Sequence, residues 1–65
     1  MNSDFVAGKW KQLTGKAKAV WGELTDDELT RTEGNVERLV GLIQERYGRT
    51  KEQAKKEVHD FFDGQ

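Results

Sequence analysis

Six of the seven glycines in this 65-residue chain fall into two sets in which the glycines lie seven residues apart. Each set ends at an aromatic residue followed by glycine, Trp21-Gly22 and Tyr47-Gly48. Shortly after each pair comes a threonine with Glu or Gln three residues later, a pattern typical of the first turn of a helix. The sets are Gly8, Gly15 and Gly22, then Gly34, Gly41 and Gly48. The chain therefore reads as one helix–turn–helix unit written twice.

A shift of 26 positions superimposes the two halves of the sequence. It pairs glycine with glycine, apolar with apolar and Trp21 with Tyr47. With one residue removed, Thr25 and Glu28 also align with Thr50 and Gln53. Alternation with a period of two residues is missing, so the sequence does not favour β-strands.

The apolar residues of the first segment recur at alternating four- and three-residue steps, which places them on one side of a helix. This pattern predicts a helix from about Asp4 to Trp21, with Asn2 or Ser3 as N-cap and Gly22 in the left-handed conformation at its end. The apolar stripe consists of Val6, Trp10, Leu13, Ala17, Val20 and Leu24, with Trp21 beside it.

A second helix is predicted at Thr25, where Glu28 completes a capping box. Leu29 is the only apolar residue that follows Glu28 before Thr30 and Glu33 repeat the pattern of a threonine with an acid three residues later. We therefore expect this helix to be short, about two turns, and the third helix to begin near Glu33.

The third and fourth helices each carry an apolar stripe. The third is predicted to end at Tyr47, and its stripe is Val36, Leu39, Val40, Ile43 and Tyr47, with Leu42 off the stripe. The fourth opens at Thr50 with Gln53, and its stripe is Ala54, Val58, Phe61 and Phe62. Gly48 lies where a C-terminal cap is expected.

These elements predict an all-α fold. Neither hairpin has enough apolar surface to stand alone, so we expect a small four-helix domain of two packed helical hairpins, with the second helix short, spanning residues 1–65. Only 34% of the residues are hydrophobic and the mean hydropathy is −0.92, so we expect a stability of only a few kcal/mol.

The composition also favours one compartment. Cysteine is absent, and the first residues lack the basic start and apolar run of a secretory signal. No stretch has the apolar length that crosses a bilayer. We therefore expect a cytoplasmic protein that is not bound to membranes, either a monomer or a weak homo-oligomer.

The net charge of −1 hides an uneven distribution. Residues 1–22 carry four lysines and one aspartate, whereas residues 23–37 carry six acids and one arginine. The basic first third could contact a polyanion. It could equally pair with the acidic segment that follows, and this second interpretation is the simpler one.

Five runs of this sequence form a recognisable set. They are Gly8-Lys-Trp-Lys-Gln-Leu-Thr-Gly15-Lys-Ala-Lys, Trp21-Gly22-Glu-Leu-Thr-Asp-Asp-Glu28, Glu33-Gly34, Leu39-Val-Gly41 and Ile43-Gln-Glu-Arg-Tyr-Gly48. These runs closely resemble the CsbD-like family of small bacterial general stress response proteins. The resemblance covers about Asn2 to Val58.

The resemblance implies an all-helical fold of two packed hairpins and a link to stress regulons. It implies no enzymatic activity, cofactor or catalytic residue. Some relatives are described as recognising unusual DNA structures, and the polar, Gly-rich composition resembles that of hydrophilins, proteins linked to water deficit.

Four lysines of the first helix are the main candidate binding residues. Lys9 and Lys16 flank Gly8 and Gly15 on one side, while Lys11 and Lys18 flank them on the other. This arrangement makes a basic face whose centre has no side chains, which suits contact with phosphates. The alternative without a function is a lysine face that is simply exposed to solvent. Four lysines would give at most weak binding to a nucleic acid, and this binding would decrease as the salt concentration rises.

The glycines inside helices permit two interpretations. Gly8, Gly15 and Gly41 lie roughly opposite the apolar stripes, and each should weaken its helix by up to about 1 kcal/mol relative to alanine. These faces either receive another helix or simply tolerate a weak one. The alternative is an exposed strip of backbone that a ligand can approach.

The other residues that could act in catalysis, base stacking or metal binding have simpler structural explanations. Asp26, Asp27 and Glu28 suit the electrostatics of a helix start. Trp10 and Trp21 could stack on bases, but their place on the apolar stripe indicates core. His59 and Asp63 have the i, i+4 spacing of metal ligands, yet two ligands make a poor site. No phosphate loop, cysteine cluster or nucleophile motif occurs in the sequence.

Taken together, these features favour a non-enzymatic stress response protein without a cofactor or metal, acting by stoichiometric binding or protection. A nucleic-acid binding protein that uses Lys9, Lys11, Lys16 and Lys18 is the alternative.

Overall fold

The computed structural model describes the backbone of residues 3–64 and the side chains of residues 9–64. Two compact units, Met1–Gly34 and Asn35–Gln65, make up the chain, and each contains one helical hairpin. The first hairpin consists of α1 (Ser3–Val20) and α2 (Asp26–Thr32), and the second of α3 (Val36–Tyr47) and α4 (Lys51–Asp63). The all-α prediction with four helices in two hairpins and a short second helix is confirmed.

The turn of the first hairpin begins where α1 ends. Trp21 N–H donates to the Ala17 carbonyl at 2.7 Å, and Leu24 N–H donates to the Trp21 carbonyl at 3.0 Å. Gly22 is not in the left-handed conformation, so the prediction of a left-handed C-cap there is wrong. The turn closes by these backbone hydrogen bonds, which do not require a residue with positive φ.

The end of α1 also corrects the predicted stripe. Val20 is 58% exposed, whereas Trp21 is 1% exposed. Because Val20 is the last residue of the helix, the chain turns there and directs the following indole inward. The prediction that Val20 belongs to the core is therefore wrong. Among residues 9–34, the buried hydrophobic residues are Trp10, Leu13, Ala17, Trp21, Leu24 and Leu29.

Helix α2 begins as predicted. The Thr25 hydroxyl accepts from Glu28 N–H, and the Glu28 carboxylate accepts from Thr25 N–H, both at 3.1 Å. This reciprocal pair satisfies two amide groups that the first turn of a helix leaves without partners.

The predicted second capping box, between Thr30 and Glu33, is not formed. Thr30 lies inside α2, and the helix ends at Glu33, whose φ of 52° is left-handed. Gly34 follows with a φ of 76°, and the Asn35 side chain caps α3 by accepting from Arg38 N–H at 3.1 Å. Helix α3 therefore begins at Val36, three residues later than predicted, and Val36 itself is 37% exposed.

In the second hairpin, Gly48 ends α3 with a φ of 67° and donates its N–H to the Gln44 carbonyl, as predicted. Thr50 and Gln53 form the capping box that opens α4. Tyr47 and Phe62 are only half-buried. The buried hydrophobic residues of this unit are Leu39, Val40, Ile43, Ala54, Val58 and Phe61.

A few predictions concern residues 1–8, for which the structure describes at most the backbone. They are the core position of Val6, the place of Gly8 on the basic face, and the N-cap at Asn2 or Ser3.

Candidate functional site

The four lysines of the predicted basic face lie on α1, and all four are exposed. Gly15 lies between them along the helix. A methyl group built on Gly15 would meet nothing within 4 Å apart from the neighbouring residues and the local helix backbone, so the space outside this backbone is open. We use "basic face" for Lys9, Lys11, Lys16 and Lys18 around Gly15. The structure thus places the predicted residues on one accessible helix, with a strip of backbone among them.

Part of the basic charge is compensated within the first unit. The Lys18 ammonium lies 3.2 Å from the Asp26 carboxylate, with both side chains about half exposed or more. The pair joins the basic first third of the chain to the acidic segment that follows it, as the simpler interpretation of the charge distribution predicts. An exposed pair of this type stabilises a protein by at most about 1 kcal/mol.

Asp26, Asp27 and Glu28 occupy the first turn of α2. Glu28 completes the capping box with Thr25, and all three carboxylates lie at the helix end that favours negative charge. Their position is accounted for by the start of this helix.

Both tryptophans lie in the core of the first unit, with exposures of 4% for Trp10 and 1% for Trp21. Trp10 also contributes a specific polar contact, because its Nε1–H donates to the Leu29 carbonyl at 2.7 Å. The Thr32 hydroxyl donates to the same oxygen, also at 2.7 Å. Neither indole is placed to serve as a stacking platform for bases.

His59 and Asp63 are both exposed on α4. Within residues 9–64, no group of three or more His, Cys, Asp or Glu side chains is arranged to hold a metal ion. The helices described by the structure include none with the length and apolar character that a membrane span requires.

The second hairpin has its own polar cluster near Gly48. The Arg49 guanidinium lies 4.7 Å from the centroid of the Tyr47 ring, and Arg49 Nε donates to the Glu57 carboxylate at 2.7 Å. Arg49 Nη1 is buried and has no hydrogen-bond partner among the described residues. The stacked and paired guanidinium connects the end of α3 to the second turn of α4.

The sequence did not reveal a groove on the first unit. The groove has a volume of about 440 Å³ and a mostly apolar surface. We call it the Trp10 groove, lined by Trp10, Lys11 and Thr14 from α1 and by Thr30 and Glu33 from the end of α2. Thr30 and Glu33 were assigned to a capping box from the sequence. Only the antiparallel pairing of α1 with α2 brings them beside Trp10.

Comparison with known proteins decides the family. The model of the CsbD-like family matches residues 4–56 of this chain. The chain belongs to the CsbD-like family. The resemblance seen in the sequence is thereby confirmed.

Proteins of the same group are present in several bacteria. The chain is similar to a UPF0337 protein of Bordetella pertussis, with 84% identity over 97% of this chain and 96% of the relative. It is 62% identical to a UPF0337 protein of Pseudomonas aeruginosa, over 97% of each chain. The UPF0337 protein YjbJ of Escherichia coli K12 is 57% identical, over 94% of this chain and 88% of the relative. CsbD-like proteins of nearly the same length are thus found in these organisms.

Proposed function

We propose that this CsbD-like protein takes part in the bacterial stress response as a non-enzymatic factor that acts in stoichiometric amounts in the cytoplasm. The family match over residues 4–56 carries this proposal, because the family is associated with stress regulons. Three polar or aromatic side chains of the first unit have structural roles, since Thr25 and Glu28 cap α2 and the Trp10 indole donates a hydrogen bond to the Leu29 carbonyl near its end.

The dependence of protection on protein amount tests this function. In a strain lacking the gene, the protein would be supplied from a titratable promoter and survival measured after heat, salt and desiccation. A stoichiometric factor should give protection that rises with copy number over the whole range. An enzyme should give full protection at a small fraction of the natural level.

Two outcomes would overturn the proposal. One is full protection at a few per cent of the natural amount. The other is turnover of a substrate that a single polar-to-alanine change abolishes.

The basic face supports a second candidate function, binding to nucleic acids. Its four lysines are exposed along one helix, and the open backbone at Gly15 allows a phosphate chain to approach closely. Contacts from four lysines to duplex DNA should give weak binding that falls by about 10²-fold between 50 and 200 mM salt.

Mobility shifts with duplex, single-stranded and four-way-junction DNA test this candidate. Lys9→Glu with Lys16→Glu should weaken binding and make it less dependent on salt. Lys51→Glu with Lys55→Glu, two exposed lysines of α4, is the matched control and should change binding much less. Equal effects of the two double variants would exclude the basic face as the binding surface.

A further inference from the structure

We propose that the Trp10 groove binds a small zwitterion with an aliphatic body, of the size and chemistry of a free branched-chain amino acid. This inference goes beyond the proposed function and does not depend on it. The groove volume of about 440 Å³ lies within the range of small-molecule sites, about 300–1,000 Å³.

The charges that line the groove differ in sign and come from different helices. Lys11 lies on α1, whereas Glu33 lies at the carbonyl end of α2. Among residues 9–64, neither side chain forms an ion pair. A ligand carboxylate would be drawn to the Lys11 ammonium. A ligand ammonium would be drawn to the Glu33 carboxylate and to the negative end of the α2 dipole.

The backbone at Glu33 gives an independent reason to suspect a role for this side chain. Its φ of 52° is left-handed, a conformation in which glycine or asparagine is ordinarily preferred as a helix C-cap. A glutamate here weakens the fold relative to glycine. Strain of this kind is concentrated at binding and catalytic sites. Glu33, the one non-glycine residue with positive φ within residues 3–64, contributes the acidic side chain of the groove.

The remaining surface of the groove matches the aliphatic part of the ligand. Trp10 is fixed by its hydrogen bond to the Leu29 carbonyl, and the Thr14 hydroxyl donates to the Trp10 carbonyl at 2.8 Å. These contacts hold the two residues in place before a ligand arrives, which lowers the entropy cost of binding. Because the groove is open to solvent, we expect a dissociation constant of about 1 mM.

An NMR titration of the full chain tests the proposal, with L-leucine as the probe. The Trp10 indole N–H and the amide groups of Lys11, Thr14 and Glu33 should shift in a saturable way, while the Trp21 indole N–H should stay in place. N-Acetyl-L-leucine lacks the ammonium group and L-leucine methyl ester lacks the carboxylate. Each should bind at least about tenfold more weakly than L-leucine, a difference of about 1.4 kcal/mol.

Two variants separate binding from folding. Glu33→Gly should raise the melting temperature, because glycine adopts the left-handed conformation without strain, and should still weaken leucine binding at least tenfold. Lys11→Gln should weaken binding to a similar extent, whereas Lys16→Gln, a change on the same helix outside the groove, should not.

The absence of saturable shifts with L-leucine would overturn the proposal. So would equal binding of either blocked derivative, or full binding by Glu33→Gly or Lys11→Gln.

Discussion

The indole Nε1–H of Trp10 donates a 2.7 Å hydrogen bond to the carbonyl oxygen of Leu29, 19 residues further along the chain. This oxygen would ordinarily accept from the amide of Glu33 within the helix. Glu33 N–H instead donates to the Thr30 carbonyl at 3.1 Å, because α2 ends in a tighter turn. Two side chains therefore donate to the Leu29 carbonyl. They are the indole of Trp10 in α1 and the hydroxyl of Thr32 in α2.

The first prediction concerns these two donors. Trp10→Phe should lower the free energy of unfolding by about 1–3 kcal/mol, because a buried carbonyl loses a donor and the core loses volume. Thr32→Val should lower it by about 1 kcal/mol. In the double variant the Leu29 carbonyl has no donor, so the loss should exceed the sum by at least about 0.5 kcal/mol. Urea unfolding followed by circular dichroism measures all three values, and strict additivity would contradict the shared role.

The second prediction concerns glycines that differ in conformation. Gly15 and Gly41 lie inside helices with open space around them, so alanine at either position should stabilise the protein by about 0.5–1 kcal/mol. Gly48 has equally open space but a φ of 67°, so Gly48→Ala should destabilise it by about 1–2 kcal/mol. Melting temperatures of the three variants give the signs. Loss of stability in Gly15→Ala would show that something approaches this strip of backbone.

The third prediction concerns the two capping boxes. Thr25→Ala and Thr50→Ala should each lower the free energy of unfolding by about 1 kcal/mol, since each removes the acceptor for an amide of the first turn. Serine at either position keeps the acceptor and should cost much less. If alanine and serine were equivalent in thermal unfolding, the hydroxyl groups would not be acting as caps.

The fourth prediction concerns Arg49. Arg49→Lys keeps the charge but loses the planar stack on Tyr47 and the directed hydrogen bond to Glu57, so it should destabilise the protein by about 0.5–1 kcal/mol. Glu57→Gln should have a smaller effect in 1 M salt than in dilute buffer, because salt screens a partly exposed pair. A destabilisation that does not change with ionic strength would contradict an electrostatic role for Glu57.

Much of the fold could be predicted from the sequence, because most of its signals are local. Apolar spacing of three and four residues located the helices, and Thr25 and Thr50 marked two starts that the structure confirms. The same pattern failed at Thr30 and Glu33. A threonine followed by glutamate three residues later has the same sequence whether it opens a helix or closes one. Only the left-handed backbone at Glu33 and Gly34 shows which of the two applies.

Of the two candidate sites, the sequence predicted one and not the other. The basic face could be predicted because all four lysines lie on one helix, where spacing fixes direction. The Trp10 groove could not be predicted, because Lys11 and Glu33 line the same groove only when α1 packs against α2. The hydrogen bond from Trp10 to Leu29 was missed for the same reason. Its partners are far apart in sequence, and the acceptor is a backbone atom that every residue possesses.

The seven-residue α2 has consequences for the order in which this protein folds. A helix of two turns is not stable in water on its own. One of the last carbonyl groups of α2, that of Leu29, accepts its hydrogen bond from the Trp10 side chain of α1. Helix α2 should therefore form together with its contact to α1, in a single concerted step. Hydrogen exchange should show this directly, with the amide protons of α2 and the indole proton of Trp10 giving one common free energy of opening once each rate is corrected for its intrinsic exchange rate.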